Sequence, residues 1–251
     1  MAPVTSTSSG IQGNDLTVVN QRFYDRLWRH AYFIGPERFN TWPLVKELAG
    51  HASNRLEVGP GLRPRLPVGG THFVDISDPA LVALKSRGGL THNGNIAHLP
   101  YPDSMFELVC ALDIIEHVVD QEAAFAELSR VVKAGGTVLM AVPLHPARWT
   151  NFDTAVGHAR RYEPDELLAI LARHNLEVER SAAYGMQSTS DRLCDFTALG
   201  FDRMPRITIF IYNHLVMPLG LALQRPLQFH PRLLDTAKVD EVLLVCRRLG
   251  T

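Results

Sequence analysis

The segment Leu56-Glu57-Val58-Gly59-Pro60-Gly61 closes an apolar run with a carboxylate and two glycines one residue apart. Glycine reaches positive φ and carries no Cβ, so such a pair at the carboxyl end of a strand lets a ligand lie against bare backbone. Taken alone, the pattern is equally that of a tight turn. The next apolar run, Phe73-Val74-Asp75-Ile76-Ser77, also finishes on a carboxylate, and an acid there can accept both hydroxyls of a ribose. Together the two runs point to an adenosine-containing ligand. A dinucleotide would need a glycine where the chain has Pro64, and a helix N-terminus to hold its pyrophosphate. Pro64, Pro67, Gly69 and Gly70 leave room between Leu62 and Thr71 for little more than one helical turn, which favours a cofactor without pyrophosphate.

Groups able to move a proton follow downstream: His117, His145, Asp153, His158 and Tyr162. An imidazole accepts a proton near neutral pH, and each of these histidines can equally serve as a structural anchor. Asp113, Glu116 and His117 carry oxygen and nitrogen donors at close spacing, either for a divalent ion or at the start of a helix. The helix start is the preferred reading, and no metal is expected.

These residues need a scaffold that gathers strand ends. Arg55 to Val58, His72 to Asp75, Phe106 to Leu112 and Thr137 to Val142 read as strands, and Gln121 to Lys133 as an amphipathic helix stopped by Ala134-Gly135-Gly136. Glu163-Pro164-Asp165 opens another helix running to about His174, followed by a strand from Leu176 to Ala182. Val239 to Cys246 is apolar enough to lie inside the sheet. Alternating strands and helices argue for a mostly parallel α/β sheet with helices on both faces. Residues 21–50 read as two helices divided near Gly35-Pro36 that cap this core.

With these motifs in order, the chain resembles the class I S-adenosylmethionine-dependent methyltransferases of small-molecule type. The likeness runs from Leu56 to Tyr162 and includes Gly94-Asn95-Ile96, Phe106 to Val109, Leu112 to Val118 and Leu128 to Gly136. It implies a Rossmann-like fold, S-adenosyl-L-methionine as cofactor and S-adenosyl-L-homocysteine as product. It also implies that Glu57, Gly59, Gly61, Asp75, Ile76, Asn95, Ile96 and Asp113 line the cofactor. The family's third glycine is here Arg63, and its usual Asp in the third-strand loop is Asn95, whose carbonyl still accepts a hydrogen bond from the adenine amino group. Gly157 to Tyr162 resembles the stretch on the side where substrate enters; it suggests His158 as general base or loop anchor, and His145, Arg161 and Tyr162 as substrate contacts. The Asp113, Glu116, His117 spacing is similar to that of metal-dependent quinone-pathway O-methyltransferases, but many relatives with Glu-His here look metal-free.

Near-equal charge, 25 Lys and Arg against 26 Asp and Glu, speaks against a nucleic-acid partner. Cys110, Cys194 and Cys246 are scattered and read as reduced core thiols of a cytoplasmic protein. The expected organisation is a flexible tail at 1–20 without signal-peptide character, then one domain at 21–251. That domain comprises a helical cap (21–50), a cofactor-binding core (54–184), an insertion or lid (185–238) and the last strand (239–248). Within the insertion, Ile207 to Leu223 is apolar but broken by Asn213, His214 and Pro218, which argues against an integral span while leaving peripheral membrane contact open. The expected activity is methyl transfer to the oxygen or nitrogen of a small, hydrophobic or aromatic acceptor. Its rivals are a quinone or lipid-precursor methyltransferase at a membrane surface and a non-catalytic cofactor-binding protein.

Overall fold

The computed structural model describes residues 21, 24–185 and 205–250. Five strands, β1 (Arg55–Val58), β2 (His72–Asp75), β3 (Leu90–Asn93), β4 (Phe106–Leu112) and β5 (Val132–Pro143), form a parallel group. They are joined by β6 (Leu176–Ala183), the two-residue β7 (His230–Pro231) and β8 (Glu241–Arg248) in the order β3-β2-β1-β4-β5-β8-β6-β7. β8 is antiparallel to both of its neighbours and is buried from Glu241 to Cys246, as its apolar run Val242 to Cys246 requires.

Alternate residues of the central strands feed two cores, because successive side chains point to opposite faces. On β4, Val109 and Ala111 face one core with Phe125 and Leu128 of α4 (Gln121–Val131) and Leu167 of α6 (Pro164–Arg173). Leu108 and Cys110 face the other, with Leu44 and Val45 of α2 (Trp42–Gly50) and Leu66. No helix forms between β1 and β2, in keeping with the Pro- and Gly-rich connection; α2 and Leu66 cover the face instead. A short helical stretch at 24–29 (α1) precedes α2, α3 (Asp78–Lys85) follows β2, and α5 (Asn151–Val156) lies beyond β5.

Several boundaries differ from the sequence reading. The expected cap helices shrink to α1 and α2, with only a short turn at Pro36–Arg38 between them. α4 ends at Val131 because Val132 turns extended and pairs with Phe106, so β5 begins before the glycines, with an irregular register beside them. β3 shows no apolar run since it is the exposed edge strand, and α3 was likewise not foreseen. Cys110 and Cys246 are buried free thiols; Cys194 and the 1–20 tail lie outside the described residues, as does much of the expected insertion.

Beyond β6, the apolar stretch of the insertion is one helical rod, α7, made of Pro205–Ile211, a π-helical turn at Tyr212–Val216 and Met217–Leu223. Ile209, Asn213 and Met217 are its buried stripe. Met217 packs with Ile34 and Phe39 of the cap.

Candidate active site

β1 and β4 are neighbours at the point where strand order reverses, the place where open α/β sheets hold ligands outside the strand ends. Gly59 (φ +68°) and Gly61 (φ +55°) turn the chain there in the left-handed region. A Cβ on Gly59 would stand 2.1 Å from Ile114 Cδ1, and one on Gly61 2.1 Å from the Trp28 ring. The loop is therefore a cradle that only glycine permits, walled by Ile114 and by Trp28 of α1.

Two carboxylates fasten the loop from below. Glu57 accepts hydrogen bonds from the Arg65 and Leu66 N–H groups at 2.8 and 2.9 Å. Asp75 accepts from the Gly61 N–H at 2.9 Å and the Ser77 N–H at 2.8 Å. Burial pushes both acids up, Glu57 to about 7 and Asp75 to about 6, although their backbone donors pull the other way.

At the end of β4, Asp113 adopts φ +56°. Its Oδ1 is buried and makes no hydrogen bond among the described residues, while the carboxyl group hydrogen-bonds Glu241 at the start of β8. Burial raises Asp113, and it raises Glu241 and Glu116 well above the ordinary range, with Asp113 adding repulsion to both. Next to Glu116, His117 presents Nδ1 to the Gly157 carbonyl and Nε2 to the Tyr24 hydroxyl, both at 3.1 Å. Desolvation, then the neighbouring His158, lowers His117 to about 3. It is neutral, with Nδ1–H donating to the carbonyl and Nε2 accepting from Tyr24.

The segment after β5 supplies a second network. Asp153, fully buried, accepts from Arg161 Nε (2.9 Å) and Nη2 (2.8 Å), from the Thr150 N–H and hydroxyl (2.8 Å each) and from His158 Nδ1 (2.8 Å). Burial works against its charge, yet these donors hold Asp153 well below the usual carboxylate range. With Nδ1 committed to Asp153, His158 turns Nε2 toward Glu116 Oε1, 3.9 Å away, and its ring packs edge-on against His117.

Comparison with known proteins gives this geometry a context. Residues 62–140 match the family described as "Methyltransferase domain". These residues and the curated relatives support a class I S-adenosylmethionine-dependent methyltransferase. A probable S-adenosylmethionine-dependent methyltransferase of Mycolicibacterium smegmatis is 34% identical over 89 residues, covering 35% of each chain. The chain thus spans about a third of the length of the first curated relatives it matches. The ubiquinone/menaquinone biosynthesis C-methyltransferase of Bordetella avium is 28% identical over 196 residues, 71% of each chain. Among solved structures, a possible histamine N-methyltransferase from Thermotoga maritima superposes with a TM-score of 0.59 at 14% identity, covering 91% of this chain and 99% of that one, a likeness of fold.

Gly59, Gly61, Asp75 and Asp113 lie at one crevice. Ile76 lies beside them, its carbonyl accepting from Gln21 Nε2 at 3.1 Å. Glu57 belongs to the crevice differently than expected, since its carboxylate holds backbone and does not face outward. Asn95 is exposed, and its Oδ1 already accepts from the Ala97 N–H at 2.6 Å; Ile96 is buried in the core. The expected substrate contacts need correction. Tyr162 is core, edge-on to Phe125; Arg161 is buried on Asp153; His145 Nε2 lies 2.8 Å from the Thr236 carbonyl and anchors its loop.

The sequence offers Arg63, Tyr24 or Trp28 as a hold for the cofactor's methionine carboxylate and favours core packing for the two aromatics; in the fold Tyr24 bonds His117 and Trp28 lies against Gly61. Ligand-type atoms of Glu116, His117 and His158 also lie within 4.8 Å of one another, close enough for a divalent ion. Both His117 nitrogens are already engaged, however, which favours a hydrogen-bonded network.

Proposed function

We propose that the protein transfers the methyl group of S-adenosylmethionine to an oxygen or nitrogen of a small, hydrophobic or aromatic acceptor. The observation that carries this reading is the glycine cradle bonded through Gly61 to the Asp75 carboxylate, at the crevice between β1 and β4. The donor set fits that cofactor: Asp75 has acceptor capacity left for ribose hydroxyls, and the buried, orphaned Asp113 Oδ1 suits a cationic group. In the proposal Gly59, Gly61, Asp75, Ile76 and Asp113 touch the cofactor, the Asn95–Ile96 turn borders its base, and Glu57 keeps the loop in shape.

When bound, the cofactor supplies a methyl group on a positively charged sulfur. The protein's part is alignment, exclusion of water and removal of the acceptor's proton. Tyr24, Trp28 and Ile114 form the apolar walls that align the acceptor. Asp153 fixes the His158 tautomer so that Nε2 keeps its lone pair, and in this reading Nε2 receives the proton. A cytoplasmic, single-domain protein remains part of the proposal. A second reading, a lipid-like acceptor met at a membrane surface, is favoured by the exposed apolar side of α7.

The test is incubation with S-adenosylmethionine and fractionated small-molecule extracts, reading S-adenosylhomocysteine by mass spectrometry. Product should require both protein and extract and should collapse in Asp75→Ala. No product, together with no calorimetric binding of S-adenosylhomocysteine, would overturn the reading.

A further inference from the structure

We propose that α7 seats the protein on an anionic lipid surface, lying in the plane of the interface. Between Asp202 and Asp235 the sequence contains no acidic residue, but it contains Arg203, Arg206, Arg225 and Arg232. Inside this stretch, residues Arg206–Leu223 form a helix long and apolar enough to cross a membrane, yet only 17% of that window is buried. Ile207, Phe210, Ile211, Leu215, Leu219 and Leu223 all stand exposed. Helical spacing sets most of them apart from the buried stripe of Ile209, Asn213 and Met217. A contiguous exposed apolar surface of this kind marks an interaction site.

The chemistry around the patch selects the occupant. Arg206 and Arg225 are exposed at the two ends of the helix, where they reach headgroup phosphates when the apolar side sinks to the acyl boundary. A transmembrane orientation is disfavoured because the inward stripe is docked. Met217 is 2% exposed against the cap, and Arg63 Nη2 donates to Asn213 Oδ1 at 2.8 Å. A second copy of the chain would cover the apolar patch but would bring the same positive charge to face itself.

The inference deepens the methyltransferase reading, since Arg63 sits in the loop after Gly61 and donates from Nη1 to the Tyr212 hydroxyl at 3.3 Å. A lipid-seated α7 therefore holds the cofactor loop directly. Docking itself does not depend on that reading and is measured without cofactor.

The experiment is flotation of the full chain with vesicles of phosphatidylcholine, alone or mixed with phosphatidylglycerol. Binding should favour the mixed vesicles and weaken with salt. The double variant Leu215→Gln, Leu219→Gln should lower partitioning about tenfold or more. Arg206→Gln, Arg225→Gln should lower it roughly fivefold per arginine on anionic vesicles only. In Phe210→Trp the indole emission should shift to the blue with vesicles and be quenched by brominated acyl chains. No flotation, binding unaffected by either double variant, or sedimentation showing self-association abolished by the leucine variant would each overturn the proposal.

Discussion

Asp153→Asn separates the two networks of the crevice and tests the tautomer argument. In the native chain Asp153 Oδ1 accepts from His158 Nδ1 and Arg161 Nε, while Oδ2 accepts from Arg161 Nη2, the Thr150 N–H and the Thr150 hydroxyl. An amide replaces one acceptor by an NH2 donor. Placed at Oδ2, that donor confronts the guanidinium and a backbone N–H, neither of which can reverse. Placed at Oδ1, it confronts only Arg161 Nε, because His158 can move its proton to Nε2 and accept through Nδ1. The second orientation is cheaper, so the substitution switches the His158 tautomer and removes the lone pair from Nε2. Breaking one side of a buried ion pair costs about 3–5 kcal/mol, which urea unfolding at neutral pH reads directly. Asp153 titrates below its ordinary value of 3.8 in the folded chain. Its contribution is therefore complete above that value and disappears as acid protonates it, so variant and wild type should converge only at low pH. Methyl transfer should fall by about 10²–10⁴-fold, with S-adenosylhomocysteine affinity little changed because the glycine loop is untouched. Nitrogen-15 correlation spectra of the imidazole report the tautomer. Stability within about 0.5 kcal/mol of wild type would refute the ion-pair argument. A switched tautomer with an undiminished rate would refute His158 as the base.

Asp75→Ala should weaken S-adenosylhomocysteine binding by roughly 1.5–3 kcal/mol through lost charged hydrogen bonds, and should lower apoprotein stability because the Gly61 and Ser77 N–H groups lose their acceptor. Unchanged affinity in a calorimetric titration would remove Asp75 from the site. Glu57 rises from 4.5 to about 7 and Asp75 from 3.8 to about 6. Raised acids stabilise the fold while protonated, so apoprotein unfolding midpoints should fall as pH climbs from about 4 to about 7; a rise across that window would contradict the burial argument. S-adenosylhomocysteine should raise the melting temperature, whereas NAD should not, since no helix N-terminus follows Gly61 to hold a pyrophosphate. Micromolar NAD binding would overturn the cofactor assignment.

The sequence made the interior strands legible because β4 and β8 are buried on both faces and so carry the apolar runs Leu108 to Leu112 and Val242 to Cys246. It also exposed the crevice, since Gly59, Gly61 and Asp75 announce themselves by type and position at strand ends. β3 stayed hidden because an exposed edge strand has no reason to be apolar. The site contacts that were missed cross long distances in the chain. Tyr24 meets His117, and Arg63 meets Asn213, through tertiary packing that no local periodicity encodes. Arg161 and Tyr162 misled for the opposite reason: they sit in a stretch that borders the site, but Asp153 and Phe125 draw both side chains inward. Asn95 shows a third limit, as its short amide is satisfied by its own turn.

The missing helix between β1 and β2 connects these observations. In a doubly wound sheet the helix after the glycine turn fixes that turn by packing on the sheet and satisfies its backbone. Here Leu62 to Thr71 forms no helix, so other groups must do both tasks. Glu57 takes two of the loop's N–H groups and Asp75 a third, while Leu66 fills the core below. Above, Trp28 lies on Gly61, and the Arg63 guanidinium stands 5.2 Å from both the Trp28 and Tyr212 rings. The loop thus takes its upper support from α1 and α7, two elements outside the parallel sheet. Because α7 also carries the exposed apolar patch, whatever restrains that patch restrains the glycine loop through Arg63.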